Sequence, residues 1–375
     1  MVTITLDTRN IPGLKPPLVL VNGETADGII SAALLCGRLG KAKEKDAERV
    51  YIPKVEVKLF TECRRQENFQ EVIADKLSLE DRVVFVLDLE LRDCLLKGWN
   101  DHDLPIIQQL ASAPYGVIWF DNNDQTKLNA SKTAGFKVYF PAIKSNYPSC
   151  SSTSSYVQSF FNNPSLRDSY THWLAAIADT EQFDSTLCTG RVKEPLLALQ
   201  KVITYYNAQR NEPRFDETIG SLIRLLCCKK DEEEVWKDNR FSDPVLAGVI
   251  QQYEEAAQYA REPLWSTMTE IGDDGKEIAF GYCDPLLTTT EAFTALWNRF
   301  QTARGYVIAV GDPINTIKTF TPDHSPLDLV SFCHQYRGGG RERHGSYGLK
   351  CKVTLDSFPD ILNILQEQLQ KYTQP

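Results

Sequence analysis

Three short apolar runs, "PPLVLVNG" (16–23), "DRVVFVLDLE" (81–90) and "YGVIWFDNND" (115–124), break off in the same way, at polar residues. Their apolar cores, Leu18–Val21, Val83–Leu87 and Val117–Phe120, are short for helices and too continuously apolar for strands with one wet face. Such runs belong to strands covered on both sides. The segments between them carry a helical pattern, in "ADGIISAALLCGRLGKAKEK" (26–45) and "LPIIQQLASA", and "GFKVYF" (135–140) reads as a fourth strand. Strands alternating with helices predict an α/β domain built on a parallel sheet. Asp27 follows the first run, and Asp88 and Asp121 close the next two. Ligands of open α/β sheets bind outside those carboxyl ends.

Further along, the Ser/Thr cluster of "CSSTSSYVQSFF" (150–161) precedes a helical pattern and reads as its N-cap. "SYTHWLAAIADTEQFD" is a second helix, ending in acids and carrying Asp179. Residues 194–262 read as helical, broken by "RNEPRFD" and by the charge run "KKDEEEVWKDNRFSD", a solvated connector. From residue 263 the pattern changes: "LWSTMTEI", "KEIAFGYC", "GYVIAVG" and "NTIKTF" read as strands around the helix "TEAFTALWNRFQTAR". A glycine-rich stretch, a strand "LKCKVTL" and a helix "FPDILNILQEQLQKY" follow. The expected organisation is an α/β domain over 1–190, a helical connector over 191–262 and a smaller α+β domain over 263–375.

Composition bounds the function. The net charge of −9 rules out attraction of nucleic acid by bulk electrostatics and leaves room only for a local basic surface. No apolar run approaches the roughly 18–20 residues that span a bilayer. The opening "MVTITLDTRNIPG" lacks the basic and apolar regions of a secretory signal. Ten cysteines are scattered without a C-x-x-C pair, the pattern of reduced thiols rather than of zinc or a disulfide framework. The expectation is an intracellular, cytoplasmic protein.

Two constellations carry chemistry. Asp27, Asp88, Asp121 and Asp179 recur at comparable places, and converging carboxylates can hold Mn²⁺ or Mg²⁺. Taken singly, each is ordinarily a turn residue or a helix cap, and it is the ordered series of four that points to a site. The stretch "GGGRERHGSYG" sets Gly338, Gly339 and Gly340 before Arg341, Arg343 and His344. Glycines let backbone N–H groups approach a phosphate, and guanidiniums supply charge-assisted bonds to it. The competing reading is a surface turn.

In this order the segments resemble the DHH phosphoesterase superfamily with its DHH-associated C-terminal domain, a family that includes RecJ-like nucleases and oligoribonucleases. "NGETADGIISAALL" is similar to its first motif, "FVLDLE" to the second, and "VIWFDNND" stands where the Asp-His-His signature is expected. "CSSTSSYV", "AAIADT" and "GGGRERHGSYG" resemble the motifs that follow. The resemblance implies a metal site at Asp27, Asp88, Asp121 and Asp179, and catalytic positions at Asp88, Asp121, Asn122 and Asn123. It also implies a phosphate grip in the C-terminal glycine motif. The departures lie in the metal half: Gly23 and Thr25 occupy two ligand positions, and Asn122 and Asn123 replace the two histidines. None of His102, His172, His324 and His334 repairs the loss. The expected function is binding of a nucleotide or a single-stranded nucleic-acid end by its phosphate in an interdomain cleft. Phosphodiesterase activity is expected to be weak or absent, with no metal or weakly bound Mn²⁺ or Mg²⁺. An active phosphoesterase with unusual ligands and a non-catalytic protein-interaction scaffold are the alternatives.

Overall fold

The computed structural model describes residues 16–41, 55–61, 65–74, 79, 82–97, 104–113, 115–141, 152–160, 169–182, 190–209, 212–229, 231–272, 277–323, 325–336, 338–341 and 343–373. Cys150 and Ser151, residues 42–45 of the predicted first helix, the acids beyond Gln182, His102, His324 and the side chain of Arg341 lie outside the described residues. The chain divides into two compact units, Met1–Leu197 with Asp216–Pro244, and Ala198–Phe215 with Val245–Pro375.

In the first unit β1 (Leu18–Asn22), α1 (Ala26–Lys41), β2 (Glu56–Phe60), α2 (Arg65–Ala74), β3 (Val84–Leu87), α3 (Ile106–Leu110), β4 (Val117–Phe120), α4 (Asp124–Ala130) and β5 (Val138–Tyr139) follow one another. The strands form one parallel sheet in the order β2-β1-β3-β4-β5. Chain order reverses between β1 and β3, which makes their carboxyl ends the switch point where open sheets bind ligands. The apolar runs behave as their composition predicts: Leu18–Val21 and Val84–Leu87 are fully buried. Trp119 anchors one face, its indole Nε1 donating to the Leu89 carbonyl at 2.7 Å and its ring stacked with Phe69 at 6.3 Å. On the other face α1 packs against α5 (Thr153–Phe160) and α6 (Ser169–Gln182). Two long helices follow, α7 (Gly190–Gln209) and α8 (Glu212–Cys228), of which Ala198–Phe215 belongs to the second unit. The charge run after them folds into a small antiparallel hairpin, β6 (Trp236–Lys237) with β7 (Arg240–Phe241).

The second unit holds α9 (Pro244–Thr267), β8 (Thr269–Ile271), β9 (Ile278–Cys283), α10 (Thr289–Arg299), β10 (Gly305–Val310), β11 (Thr316–Phe320), α11 (Leu329–Gln335), β12 (Gly339–Arg341), β13 (His344–Gly348) and α12 (Phe358–Thr373). Its sheet runs β12-β13-β11-β10-β9-β8, with β9 and β10 parallel and the other pairs antiparallel. Tyr306, Ile308, Val310 and Phe320 face α9 and α10, while Val307, Ala309 and Ile317 face α11 and α12. This is the expected smaller α+β domain after a parallel α/β domain. Two strand assignments are corrected. "LWSTMTEI" is not a strand throughout: α9 runs to Thr267, leaving Thr269–Ile271 as the strand, because Leu264 packs into the helix face with Ala257 and Ala260. "LKCKVTL" is irregular, and the pairing falls one segment earlier, where the glycine stretch itself supplies β12 and β13.

Candidate functional site

The acids at the carboxyl ends of the first sheet are brought together, and the structure shows what each one holds. Asp27, in the first turn of α1, is fully buried. Its Oδ2 accepts the Thr153 amide at 2.8 Å, and its Oδ1 accepts the Ser154 amide and the Ser154 hydroxyl, each at 2.8 Å. Asp27 therefore caps the start of α5 from another helix, satisfying amides that a helix leaves without an internal acceptor. Asp179 sits beside the same helix start, accepting the hydroxyls of Ser152 at 2.5 Å and Ser155 at 2.8 Å. Burial pushes the Asp179 carboxyl above the ordinary carboxylate range; the two serine donors oppose that rise, and the charge of Asp27 adds to it.

Asp88 stands at the switch point with φ +53, in the left-handed region that a non-glycine residue seldom occupies. Its amide donates to the Phe120 carbonyl at 2.9 Å, which ties that backbone to the end of β4. Thr25, at a position where the family resemblance expects a ligand, donates its hydroxyl to Asp88 Oδ2 at 2.5 Å. The Thr153 hydroxyl reaches Asp88 Oδ1 at 3.2 Å and Asn122 Oδ1 at 3.5 Å. Asp121 turns to its own loop, accepting the Thr126 hydroxyl and the Asn123 amide. Asn123 is the N-cap of α4, its side-chain oxygen accepting the Gln125 amide at 3.0 Å. Gly23 serves the backbone, donating its amide to Phe60 at 2.9 Å.

Glu181 was not foreseen from the sequence. Its carboxylate accepts the Ala26 amide at 3.1 Å and the Asp27 amide at 2.8 Å, so it caps α1 as Asp27 caps α5. Negative charge at a helix N-terminus is stabilised by the helix dipole. The one signal was its place two residues after Asp179 in an acidic helix end, and a partner 155 residues away is invisible to local pattern. Together these bonds test the fit of a metal. Both oxygens of Asp27 are spent on donors, Asp88 answers to hydroxyls, and among the described residues no three of His, Cys, Asp and Glu are grouped to hold an ion. The side chains present do not fit the Mn²⁺ or Mg²⁺ that four carboxylates suggest.

In the second unit the glycine stretch is a hairpin. Gly339 pairs with Ser346, Gly340 with Gly345, and Arg341 with His344. Three glycines of the stretch are dictated by packing: a Cβ at Gly338 would lie 2.1 Å from the Ser346 carbonyl oxygen, one at Gly340 2.3 Å from the His344 carbonyl oxygen, and one at Gly345 2.7 Å from Cys333 Sγ. Arg343, in the turn, forms an ion pair with Asp323. The His344 ring stacks on Phe320 with centroids 4.9 Å apart. Gly339, Gly340 and Arg341 thus lie on the edge strand β12, with Gly338 before it, Arg343 in the turn and His344 on the adjoining β13.

No protein-family model and no curated protein matches the chain. Solved structures do. One is the DHH domain of a member of the s1p family of ribosomal proteins, 13% identical over 95% of this chain and 86% of that one, with TM-score 0.56. Another is an exopolyphosphatase-related protein from Bacteroides fragilis, 14% identical over 96% of this chain and 92% of that one, with TM-score 0.50. Likeness at that identity speaks to architecture. Together with the 2-1-3-4-5 parallel sheet and the separate mixed sheet, it shows that the chain shares the fold of that DHH domain.

Proposed function

We propose that this protein binds the phosphate of a nucleotide or of a single-stranded nucleic-acid end, and that it hydrolyses such a ligand weakly or not at all. The observation that carries the reading is the bonding of Asp27. A carboxylate whose two oxygens hold the amides of Thr153 and Ser154 is a structural cap, and releasing it to a metal would strip the start of α5. Asn122 and Asn123 add to this, since an amide supplies no imidazole lone pair. The binding half rests on the hairpin, which gathers Arg341, Arg343 and His344 within four residues at the edge of a sheet. Phosphate recognition needs only such donors, whereas hydrolysis by a two-metal mechanism needs the ions as well.

Equilibrium binding of mono-, di- and oligonucleotides, with product analysis in the same samples, is the test. Arg341→Ala and Arg343→Ala are each expected to weaken binding by about 1.5–3 kcal/mol, the scale of a hydrogen bond to a charged group. Binding is expected to weaken as salt rises. Asp88→Asn is expected to leave binding almost unchanged. Hydrolysis abolished by Asp88→Asn would make the chain a working phosphoesterase and overturn the reading. Failure to bind any of the ligands, with or without Mn²⁺, would leave the interaction scaffold.

A further inference from the structure

Lys318 lies in the middle of β11. Its ammonium donates to the Thr289 hydroxyl at 2.9 Å, in the first turn of α10. A helix start already carries partial positive charge from its unpaired amides. A lysine placed there adds to that charge instead of balancing it. Among the described residues Lys318 has no carboxylate at ion-pair distance. The one acid in the first turn, Glu291, closes a capping box on Thr288 and also accepts the Tyr253 hydroxyl and the Arg261 guanidinium, and does not pair with Lys318. Glu291 thus balances the helix start and Arg261, and the ammonium of Lys318 is left without an ion pair of its own among the described residues.

A second observation points to the same place. Thr316, two residues before Lys318 and on the same face of β11, is 9% exposed, and its Oγ1 is buried without a hydrogen-bond partner. Such a hydroxyl is destabilising unless something bonds to it. Strand register sets Ser346 opposite Lys318 and Gly348 opposite Thr316. A Cβ at Gly348 would meet nothing within 4 Å, so the face is open beside Thr316. Cation, helix start, unbonded hydroxyl and open strand edge share one side of one sheet.

We propose that Lys318, Thr316, Thr289 and Ser346 form an oxyanion site at the start of α10, taking one phosphoryl group. It lies on the sheet face that carries His344, one cross-strand row from the His344–Phe320 pair. The inference goes beyond the hairpin reading and does not depend on it. If both hold, the ligand carries two phosphoryl groups, one at the hairpin and one at Lys318.

The test uses the full chain with inorganic phosphate and pyrophosphate as probes, followed by calorimetry and by the ³¹P resonance. Lys318→Ala is expected to weaken binding of both by about tenfold or more, the loss of one charge-assisted bond, and Lys318→Arg to restore part of it. Thr316→Val separates binding from folding: it should raise the unfolding midpoint of the free protein, by removing an unbonded hydroxyl, while weakening phosphate binding. Loss of pyrophosphate binding in Arg343→Ala with full binding in Lys318→Ala and Thr316→Val would overturn this site and leave the hairpin reading standing. The opposite pattern would uphold this site and remove the hairpin. No binding of either probe at millimolar concentration would overturn both.

Discussion

The Asp27 carboxylate accepts the amide of Thr153 at 2.8 Å across 126 residues of chain, and this bond, with its partner from Ser154, fixes α5 onto α1. A buried carboxylate of this kind is tolerated because both of its oxygens find donors. Removing it leaves those amides buried without an acceptor. Asp27→Ala is therefore expected to lower stability by about 1–3 kcal/mol for each amide left without an acceptor, and Asp27→Asn by less, since one oxygen remains. Urea unfolding of the two variants checks it; equal and small losses would mean that the cap is dispensable.

The same arrangement sets an expectation for metal removal. Hydroxyls and amides fill the acid centre, so the protein's thermal midpoint should be the same with chelator as with excess Mn²⁺. Binding of an ion to the folded state alone raises the midpoint by mass action. A rise of several degrees with micromolar Mn²⁺ would show a site that the bonding of Asp27 and Asp88 argues against.

Much of this was legible in the sequence. Leu18–Val21, Val84–Leu87 and Val117–Phe120 could be placed as buried parallel strands because unbroken apolar runs have few other uses. Asp27, Asp88 and Asp179 could be placed near one another because the ends of parallel strands and the helices after them converge. What those acids hold was not legible. Whether a carboxylate meets an ion or a helix start depends on Thr25, Ser152, Thr153 and Ser154, whose hydroxyls read locally as ordinary caps. Glu181 and Lys318 were missed for the same reason: each acts on the start of a helix distant in sequence. The glycine stretch left two readings open in the sequence, since short side chains suit close packing against Cys333 as well as a ligand.

Glu291 gives the pH dependence. Burial pushes its carboxyl up, but the bonds from Tyr253, Thr288 and Arg261 outweigh that and hold it below its ordinary value. A depressed folded-state value means that the unfolded chain binds the proton first, so this stabilisation is present above the ordinary glutamate range and is lost as pH falls through the folded value. Glu291→Gln is expected to destabilise the protein at neutral pH and to flatten the acid limb of its stability profile. An acid limb as steep as that of the parent chain would assign the loss to other carboxylates.

Gly340 offers a test of packing at the hairpin. A Cβ there would press to 2.3 Å against the His344 carbonyl, a backbone atom that cannot swing aside. Gly340→Ala should cost about 1–3 kcal/mol, the usual penalty for overpacking, while Gly348→Ala, with open space around it, should be nearly neutral. Chemical denaturation of the pair decides it, and similar small effects would mean that the hairpin adjusts freely.

The Arg343–Asp323 pair makes the last expectation, because it sets two claims on one guanidinium against each other. Asp323 is largely exposed, with 66% of its side chain accessible, and Arg343 is 33% accessible. An exposed ion pair contributes at most about 1 kcal/mol to stability, so Asp323→Ala should scarcely change folding. If Arg343 binds phosphate, however, Asp323 competes with the ligand, and its removal should strengthen phosphate binding severalfold. The gain should vanish in the Asp323→Ala, Arg343→Ala double variant, because the competition acts through Arg343 alone. Phosphate binding unchanged in Asp323→Ala would mean that Arg343 serves the turn between β12 and β13, and that any phosphate on this sheet is held elsewhere.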